Sequence, residues 1–177
     1  MAESVSQNVG KKLIQIDISS DTVCPWCFVG KKNLDKAMAI AKNQYDFEVF
    51  RGLGLEYSLN GLIGNTLDSH RLIFYAGQKA PEMQHNLVEE LCLGYFTQGK
   101  SIGDREFLLE AARKLEGAAE FLEDPNNGLQ EVQEELAKYS SRISGVPHYL
   151  IDGKYELSGA QSPEVFLGAF EAAAKGK

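Results

Sequence analysis

The twelve residues 20–31, Ser-Asp-Thr-Val-Cys-Pro-Trp-Cys-Phe-Val-Gly-Lys, carry the features that decide the fold. Just before them, residues 13–19 alternate isoleucine with polar side chains, which predicts a β-strand. Within them, Pro25 favours the first turn of a helix, so we expect a helix to begin there. Cys24 would then lie just before the helix, and Cys27 would lie one turn inside it.

Two cysteines separated by two residues at a helix start are typical of a site for thiol–disulfide exchange. Such a site needs one ionised, exposed thiol and a second thiol that can displace the first. The unpaired N–H groups and the helix dipole lower the pKa of a thiol placed like Cys24 from about 8.5 towards roughly 3.5–7.5. We therefore expect Cys24 to be exposed and reactive and Cys27 to be shielded. Pro25 and Trp26, which separate them, are expected to tune the redox potential.

Composition and charge exclude several classes of protein. The formal net charge of −7 argues against a nucleic-acid partner. The lysines of the N-terminal third are interpreted as solvated surface residues: Lys11, Lys12, Lys31, Lys32 and Lys36. No run approaches the roughly 18 apolar residues of a membrane span, and residues 1–12 lack the apolar stretch of a secretory signal. We expect a cytoplasmic protein with no membrane partner, and the odd count of three cysteines argues against a disulfide scaffold.

The rest of the chain divides into strand, helix and turn patterns. A second strand is predicted over 45–50, followed by an irregular, glycine-rich segment over 51–64. Helices are predicted over 66–75, 81–97, 104–115, 118–122 and 129–140. An Asp-Gly pair at 152–153 predicts a hairpin over 148–158, and a closing helix is expected over 163–174.

This order of elements predicts an α/β fold, namely a thioredoxin-like fold with an all-helical insertion. The predicted domain organisation has three parts. Residues 1–12 form a flexible N-terminus, residues 13–50 and 143–177 form the thioredoxin-like domain, and residues 51–142 form the helical insertion.

Three segments together resemble a known family. They are residues 20–31, the Gly-Val-Pro step at 145–147 and the Ser-Gly-Ala-Gln loop at 158–161. They are similar to the DsbA-like thioredoxin family, in particular its FrnE-type subgroup. The similarity covers most of the chain.

The resemblance implies an oxidoreductase whose partners are thiol or disulfide peptides or small thiols. It implies that Cys24 is the attacking thiol and Cys27 the resolving thiol. It also implies that Pro147 is a cis proline opposite the cysteines, and that Val146 offers its backbone to an extended substrate strand. Pro25 and Trp26 are counted with Val146 and Pro147 as substrate-binding residues.

The sequence departs from the family pattern after the second strand. Roughly forty residues of the pattern are missing there, although a domain of ordinary size can still close without them. We therefore predict a short or poorly paired second strand, with residues 51–64 as the least ordered internal region.

Several other polar residues have two interpretations. Asp17, ten residues before Cys27 on the first strand, is either a proton acceptor for Cys27 or a solvent-facing strand residue. Cys92 falls on an apolar helix face and is either a buried, inert thiol or a redox sensor or regulatory thiol. His148 is either close to the cysteines or on the strand surface. His70 and His85 are interpreted as ordinary helix-surface residues.

Three alternative functions remain open at this stage. A zinc site would need two ligands besides Cys24 and Cys27, and no Cys or His pair has ligand spacing, so no metal is expected. A glutathione transferase or isomerase of the kappa type is similar in fold, but those relatives carry Ser in place of the first Cys. A non-catalytic interaction module is the third alternative. No resident cofactor is expected, and glutathione is a candidate co-substrate.

Overall fold

The computed structural model of the chain describes residues 10–53, 64–140 and 143–176. Most of the predicted flexible N-terminus, residues 1–12, therefore lies outside the described residues. The strands are β1 (Lys12–Ser20), β2 (Tyr45–Leu53), β3 (His148–Ile151) and β4 (Tyr155–Ser158). The helices are α1 (Pro25–Ala41), α2 (Leu67–Lys79), α3 (Pro81–Gln98), α4 (Arg105–Ala111), α5 (Ala118–Glu123), α6 (Leu129–Ser140) and α7 (Pro163–Ala174).

The four strands form one mixed sheet in the order β2-β1-β3-β4. β1 and β2 are parallel and joined through α1, whereas β3 runs antiparallel to both β1 and β4. Helices α2 to α6 fall between β2 and β3 in the chain. The predicted α/β fold class is confirmed, and the element order is consistent with a helical insertion into a thioredoxin-like fold.

Two hydrophobic clusters hold the fold together. The first lies between the sheet, α1 and α7, because alternate residues of β1 point to one face. Its members include Ile14, Ile16, Ile18, Leu34, Ala37, Tyr149, Phe166 and Phe170. The second lies among α2 to α5 and includes Leu72, Leu87, Leu91, Phe107 and Leu122. Val23, just before the first cysteine, belongs to the second cluster, so the cysteine motif lies where the two clusters meet.

The prediction of a short or poorly paired second strand is wrong. β2 spans nine residues and stays in register with β1 from Lys12↔Tyr45 to Ser20↔Leu53. Backbone hydrogen bonds to a long neighbouring strand extend the pairing through Gly52, which pattern alone would assign to a loop. Of the segment predicted to be least ordered, residues 54–63 lie outside the described residues.

One predicted helix is also too long. α4 ends at Ala111, whereas the pattern predicts a helix to residue 115. Ala112 and Leu115 lie in the turn that follows and are buried there. Their spacing matches that of a helix face, which is why the sequence pattern predicts a longer helix.

Gly30 lets α1 approach the loop that precedes β3. A Cβ atom at this position would run into the Tyr149 hydroxyl and would lie 3.2 Å from Cγ of Pro147 and 3.4 Å from Cα of Ala160. Since Tyr149 is fully buried, its ring has little room to move. Glycine at position 30 therefore sets the separation between the helix and the loop.

We predict that Gly30→Ala destabilises the fold. The added methyl group overlaps a buried hydroxyl, and such overpacking costs about 1–3 kcal/mol. Urea unfolding followed by circular dichroism would measure this loss as a lower midpoint. In a Tyr149→Phe background the same substitution should cost less, because the overlapping oxygen is gone.

Gly168→Ala is the matched control for this measurement. Gly168 lies within α7 and nothing approaches its Cβ position within 4 Å. Alanine is the better helix former there by roughly 0.5–1 kcal/mol, so this variant should be more stable than the natural protein. If Gly30→Ala were equally well tolerated, the close approach at Gly30 would be contradicted.

Candidate active site

The two cysteines lie at the start of α1, as predicted. Cys24 is the residue just before the first turn, with extended backbone angles, and Pro25 is the first helical residue. The Cys24 carbonyl accepts hydrogen bonds from the N–H groups of Cys27, at 3.0 Å, and Phe28, at 3.3 Å. Proline favours this first position because it needs no N–H donor there, so the local sequence itself places the two sulfurs one turn apart.

The prediction that Cys24 is exposed is wrong. Cys24 is only 9% exposed and Cys27 is 5% exposed, and both are free thiols. A loop from a distant part of the chain covers Cys24, with the Val146 carbonyl oxygen 3.9 Å from its Sγ. Trp26, between the two cysteines, is 65% exposed. The Cys24 sulfur therefore lies between the start of α1 and this loop.

The two thiols have opposite acidities. The Cys27 thiol donates a hydrogen bond to the Cys24 sulfur and is the main cause that lowers the pKa of Cys24 to about 6. The backbone N–H groups of Cys27 and Trp26 lower this pKa further, while burial opposes them. The same hydrogen bond, together with burial, raises the pKa of Cys27 far above the ordinary thiol value. At neutral pH Cys24 is therefore a thiolate and Cys27 a protonated thiol.

The loop beside Cys24 contains the cis proline that the family resemblance implies. The Val146–Pro147 peptide bond is cis, and Pro147 is buried. Its neighbour Val146 is half-buried and directs its carbonyl towards Cys24. The structure thus brings the Val146 carbonyl to Cys24, and Pro147 follows it in the same loop.

Asp17, the predicted proton acceptor, is not brought to the cysteines. Its neighbours Ile16 and Ile18 face α1, so Asp17 points to the opposite side of the sheet from the helix that carries Cys27. Burial raises the pKa of Asp17, and Lys138 of α6 partly offsets this. The alternation of the strand places Asp17 on this other face, and spacing along the chain could not reveal it.

A different carboxylate lies beside the resolving cysteine. The Asp21 N–H donates to the Cys27 Sγ at 3.4 Å, and the Asp21 side chain is fully buried. Its Oδ1 lies 3.3 Å from Nε2 of His70, a residue of α2. His70 is itself buried, so its interpretation as a surface residue is wrong. Asp21 lies three residues before Cys24, so its place in the sequence indicates that it is close to the cysteines. Nothing in the sequence indicates that His70 is.

The interpretation of Lys31 as a solvated surface residue is also wrong. It is only 3% exposed, and its Nζ lies 2.6 Å from carboxylate oxygens of both Asp35 and Glu89. Lys32 also pairs with Glu89. Burial raises the pKa of Glu89, but the two lysines lower it by more, so the net shift is downward. This cluster fixes α3 of the helical insertion against α1.

The remaining candidates lie at the edges of the site. Cys92 is buried, as predicted, and lines a small cavity together with Cys27. His148 is half-buried on β3, with Nε2 3.7 Å from Glu156. In the part of the chain that the structure describes, no three His, Cys, Asp or Glu side chains are grouped as metal ligands. None of the helices described is long and apolar enough to cross a membrane.

A thioredoxin-like sheet, a helix that begins between two cysteines and a facing cis proline define the thioredoxin class of proteins. Within that class, residues 15–171 match the sequence model of the DSBA-like thioredoxin domain. The chain belongs to this family. Among curated proteins, no sequence matches the chain.

Solved structures share the fold at low sequence identity. A probable DsbA oxidoreductase from Streptomyces coelicolor has a TM-score of 0.79 and 24% identity, covering 93% of this chain and 91% of the other. Reduced DsbA1 from Neisseria meningitidis has a TM-score of 0.65 and 17% identity, covering 99% and 87%. The cytosolic disulfide reductase DsbM from Pseudomonas aeruginosa, solved with GSH, has a TM-score of 0.59 and 16% identity, covering 91% and 99%.

We predict that alkylation of Cys24 by iodoacetamide follows a titration centred near pH 6, because its pKa is lowered to about 6. Below this pH the thiol is protonated and the rate should fall about tenfold per pH unit, whereas above it the rate should level off. Peptide mapping by mass spectrometry separates the labelling of Cys24 from that of Cys92.

Substitution of Cys27 tests the cause of this acidity. Cys27→Ala removes the main hydrogen-bond donor and should move the midpoint up towards the ordinary thiol value, whereas Cys27→Ser keeps a donor and should move it less. If Cys27→Ala left the pH midpoint of Cys24 alkylation unchanged, the hydrogen bond from Cys27 would not be the cause of the lowered pKa. Equal labelling of Cys24 and Cys92 at neutral pH would contradict the assignment of Cys24 as the reactive thiol.

Proposed function

We propose that this chain is a thiol–disulfide oxidoreductase that acts through the Cys-Pro-Trp-Cys motif on disulfides of peptides or small thiols. The observation that carries the proposal is the unequal acidity of the two sulfurs. Cys24 is ionised at neutral pH and can attack, and Cys27 holds its proton until a substrate is bound.

The reaction proceeds in two exchanges. The Cys24 thiolate attacks one sulfur of a substrate disulfide, the substrate S–S bond breaks, and one substrate thiolate leaves. Cys27 then loses its proton and attacks the Cys24 sulfur, which releases the second substrate thiolate and leaves a Cys24–Cys27 disulfide. The substrate gains the two electrons that the cysteine pair loses, and the reverse sequence oxidises a dithiol.

The surface beside Cys24 suits an extended peptide or a short thiol as substrate. Val146 lies next to Cys24 and can pair through its backbone with an extended chain. Trp26 and Val29 add exposed apolar surface on the α1 side, and Pro25 is also exposed. Pro147 follows Val146 in the same loop and is proposed to contact the substrate with it.

We extend the proposal to the cellular context. Glutathione is proposed as a co-substrate, and the solved DsbM structure, a cytosolic disulfide reductase with GSH, supports this as a relative in fold. A cytoplasmic location is proposed with it. The sequence around the cysteines and the loop at 158–161 support the FrnE-type subgroup.

We predict that Cys27→Ser accumulates mixed disulfides with its substrates and that Cys24→Ser does not. Without Cys27 the covalent intermediate on Cys24 has no internal thiol to resolve it. Incubation with a disulfide-containing peptide, followed by non-reducing mass spectrometry, would detect the adduct. Equal trapping by both variants would reverse or remove the assigned roles.

Reduction of insulin and of glutathione disulfide, with a thiol reductant supplied in excess, would test the function directly. The natural protein should accelerate at least one of the two reactions, and Cys24→Ser should not. An inactive natural protein that nevertheless conjugates glutathione to an electrophile would favour the kappa-type transferase. Absence of both activities would favour a non-catalytic module.

A further inference from the structure

A small cavity lies beside Cys27. Its volume is about 10 Å³, which is close to the space that one water molecule needs. Its lining comes from the end of β1, the loop before α1, α1 itself and the helical insertion, and it includes Asp21, Cys27, Lys31, His70 and Cys92. The cavity therefore joins the resolving thiol to a carboxylate and an imidazole.

The resolving step of the proposed function needs a proton acceptor at this place. Cys27 is buried and its pKa is raised, so it keeps its proton at neutral pH. Once Cys24 is bonded to a substrate, its sulfur is no longer a thiolate and cannot take the proton. Bulk water reaches Cys27 poorly, because only 5% of the residue is exposed. The acceptor must therefore be a neighbouring buried group.

Asp21 has the geometry of such an acceptor. Its own N–H holds the Cys27 Sγ at 3.4 Å, and its carboxylate lines the same cavity. Oδ2 is buried and has no hydrogen-bond partner among the described residues, so it is available to take a proton. Oδ1 is occupied by His70 at 3.3 Å.

The other charged groups around the cavity have partners elsewhere. Lys31, from α1, is engaged by Asp35 and Glu89 at 2.6 Å each and also contacts Nε2 of His85 at 3.3 Å. Cys92, from α3, is the remaining titratable residue of the lining.

We propose that Asp21 is the proton acceptor of Cys27 in the resolving step, and that His70, from the helical insertion, positions its carboxylate. His70 donates its Nε2–H to Oδ1, which leaves Oδ2 as the oxygen that takes the proton. This proposal rests on the proposed function, since it concerns the second exchange of that reaction.

The step balances as follows. The Cys27 S–H bond breaks and an O–H bond forms on Asp21, either directly or through one water in the cavity. The Cys27 thiolate attacks the Cys24 sulfur, the bond between Cys24 and the substrate sulfur breaks, and the substrate leaves as a thiolate. Asp21 returns its proton to solvent when the reduced pair is regenerated.

Stopped-flow reaction of the reduced protein with dithiobis(nitrobenzoate) tests the proposal. Attack by Cys24 releases one coloured thiolate, and resolution by Cys27 releases a second; Cys27→Ser, which gives only the first, identifies the two phases. Asp21→Asn should slow the second release about 100-fold, within the usual range for general base catalysis, and should change the first much less.

The pH dependence separates a proton acceptor from a structural residue. In the natural protein the second release should change little across neutral pH, because a carboxylate held beside the thiol takes its proton. In Asp21→Asn its rate should rise about tenfold per pH unit, because only spontaneous ionisation of the thiol remains. Asp17→Asn is the matched control and should leave both releases unchanged, since Asp17 lies on the other face of the sheet.

His70 is tested by two substitutions. His70→Leu should slow the second release about tenfold, because the carboxylate loses the imidazole that orients it and keeps only the weaker contacts of Val23 and Thr22. His70→Gln keeps an N–H donor at a similar reach and should restore most of the rate. His148→Leu, a histidine outside the cavity, serves as the control.

Three results would overturn the proposal. The first is an Asp21→Asn variant whose second release keeps the natural rate and pH profile. The second is equal slowing of both releases by Asp21→Asn, which would indicate a structural role. The third is a His70→Gln variant as slow as His70→Leu. A natural protein that gives no second release at all would instead contradict the proposed function.

Discussion

The close contact between α1 and the cis-proline loop at Gly30 sets the position of the Val146 carbonyl relative to the Cys24 sulfur. Because no side chain intervenes at Gly30, Tyr149 and Pro147 pack directly against the helix. That packing carries the Val146 carbonyl to within 3.9 Å of the Cys24 sulfur. The attacking sulfur is therefore covered even though it lies at a helix start. Access to Cys24 depends on the loop as much as on the helix.

The helical insertion takes part in the site through two buried polar contacts. Lys31 of α1 joins Glu89 of α3, and Asp21, just before α1, joins His70 of α2. Buried charges are costly to desolvate, and they are retained where partners satisfy them, so both contacts constrain how the insertion docks on the thioredoxin-like part. The insertion therefore positions the polar side chains around the resolving thiol Cys27.

Local patterns predicted most of the fold and part of the site. The helix start at Pro25 and the hairpin before the last helix follow from proline and Asp-Gly chemistry, which act over a few residues. The full length of β2 depends on pairing with β1, and its Gly52 gives no local sign of a strand. The missed site features, the buried His70 and the burial of Cys24, depend on contacts between distant residues. His70 meets Asp21 across 49 positions, and the Val146 carbonyl approaches Cys24 across 122 positions.

The position of Trp26 has an optical consequence. It is the only tryptophan of the sequence, and it lies between the two sulfurs with its indole 65% exposed. All tryptophan emission of the protein therefore originates at the proposed reaction centre. Thiolates and disulfides quench a neighbouring indole to different extents, so the emission intensity would follow the oxidation state without any added dye. Excitation selective for tryptophan would therefore report on the proposed reaction centre alone.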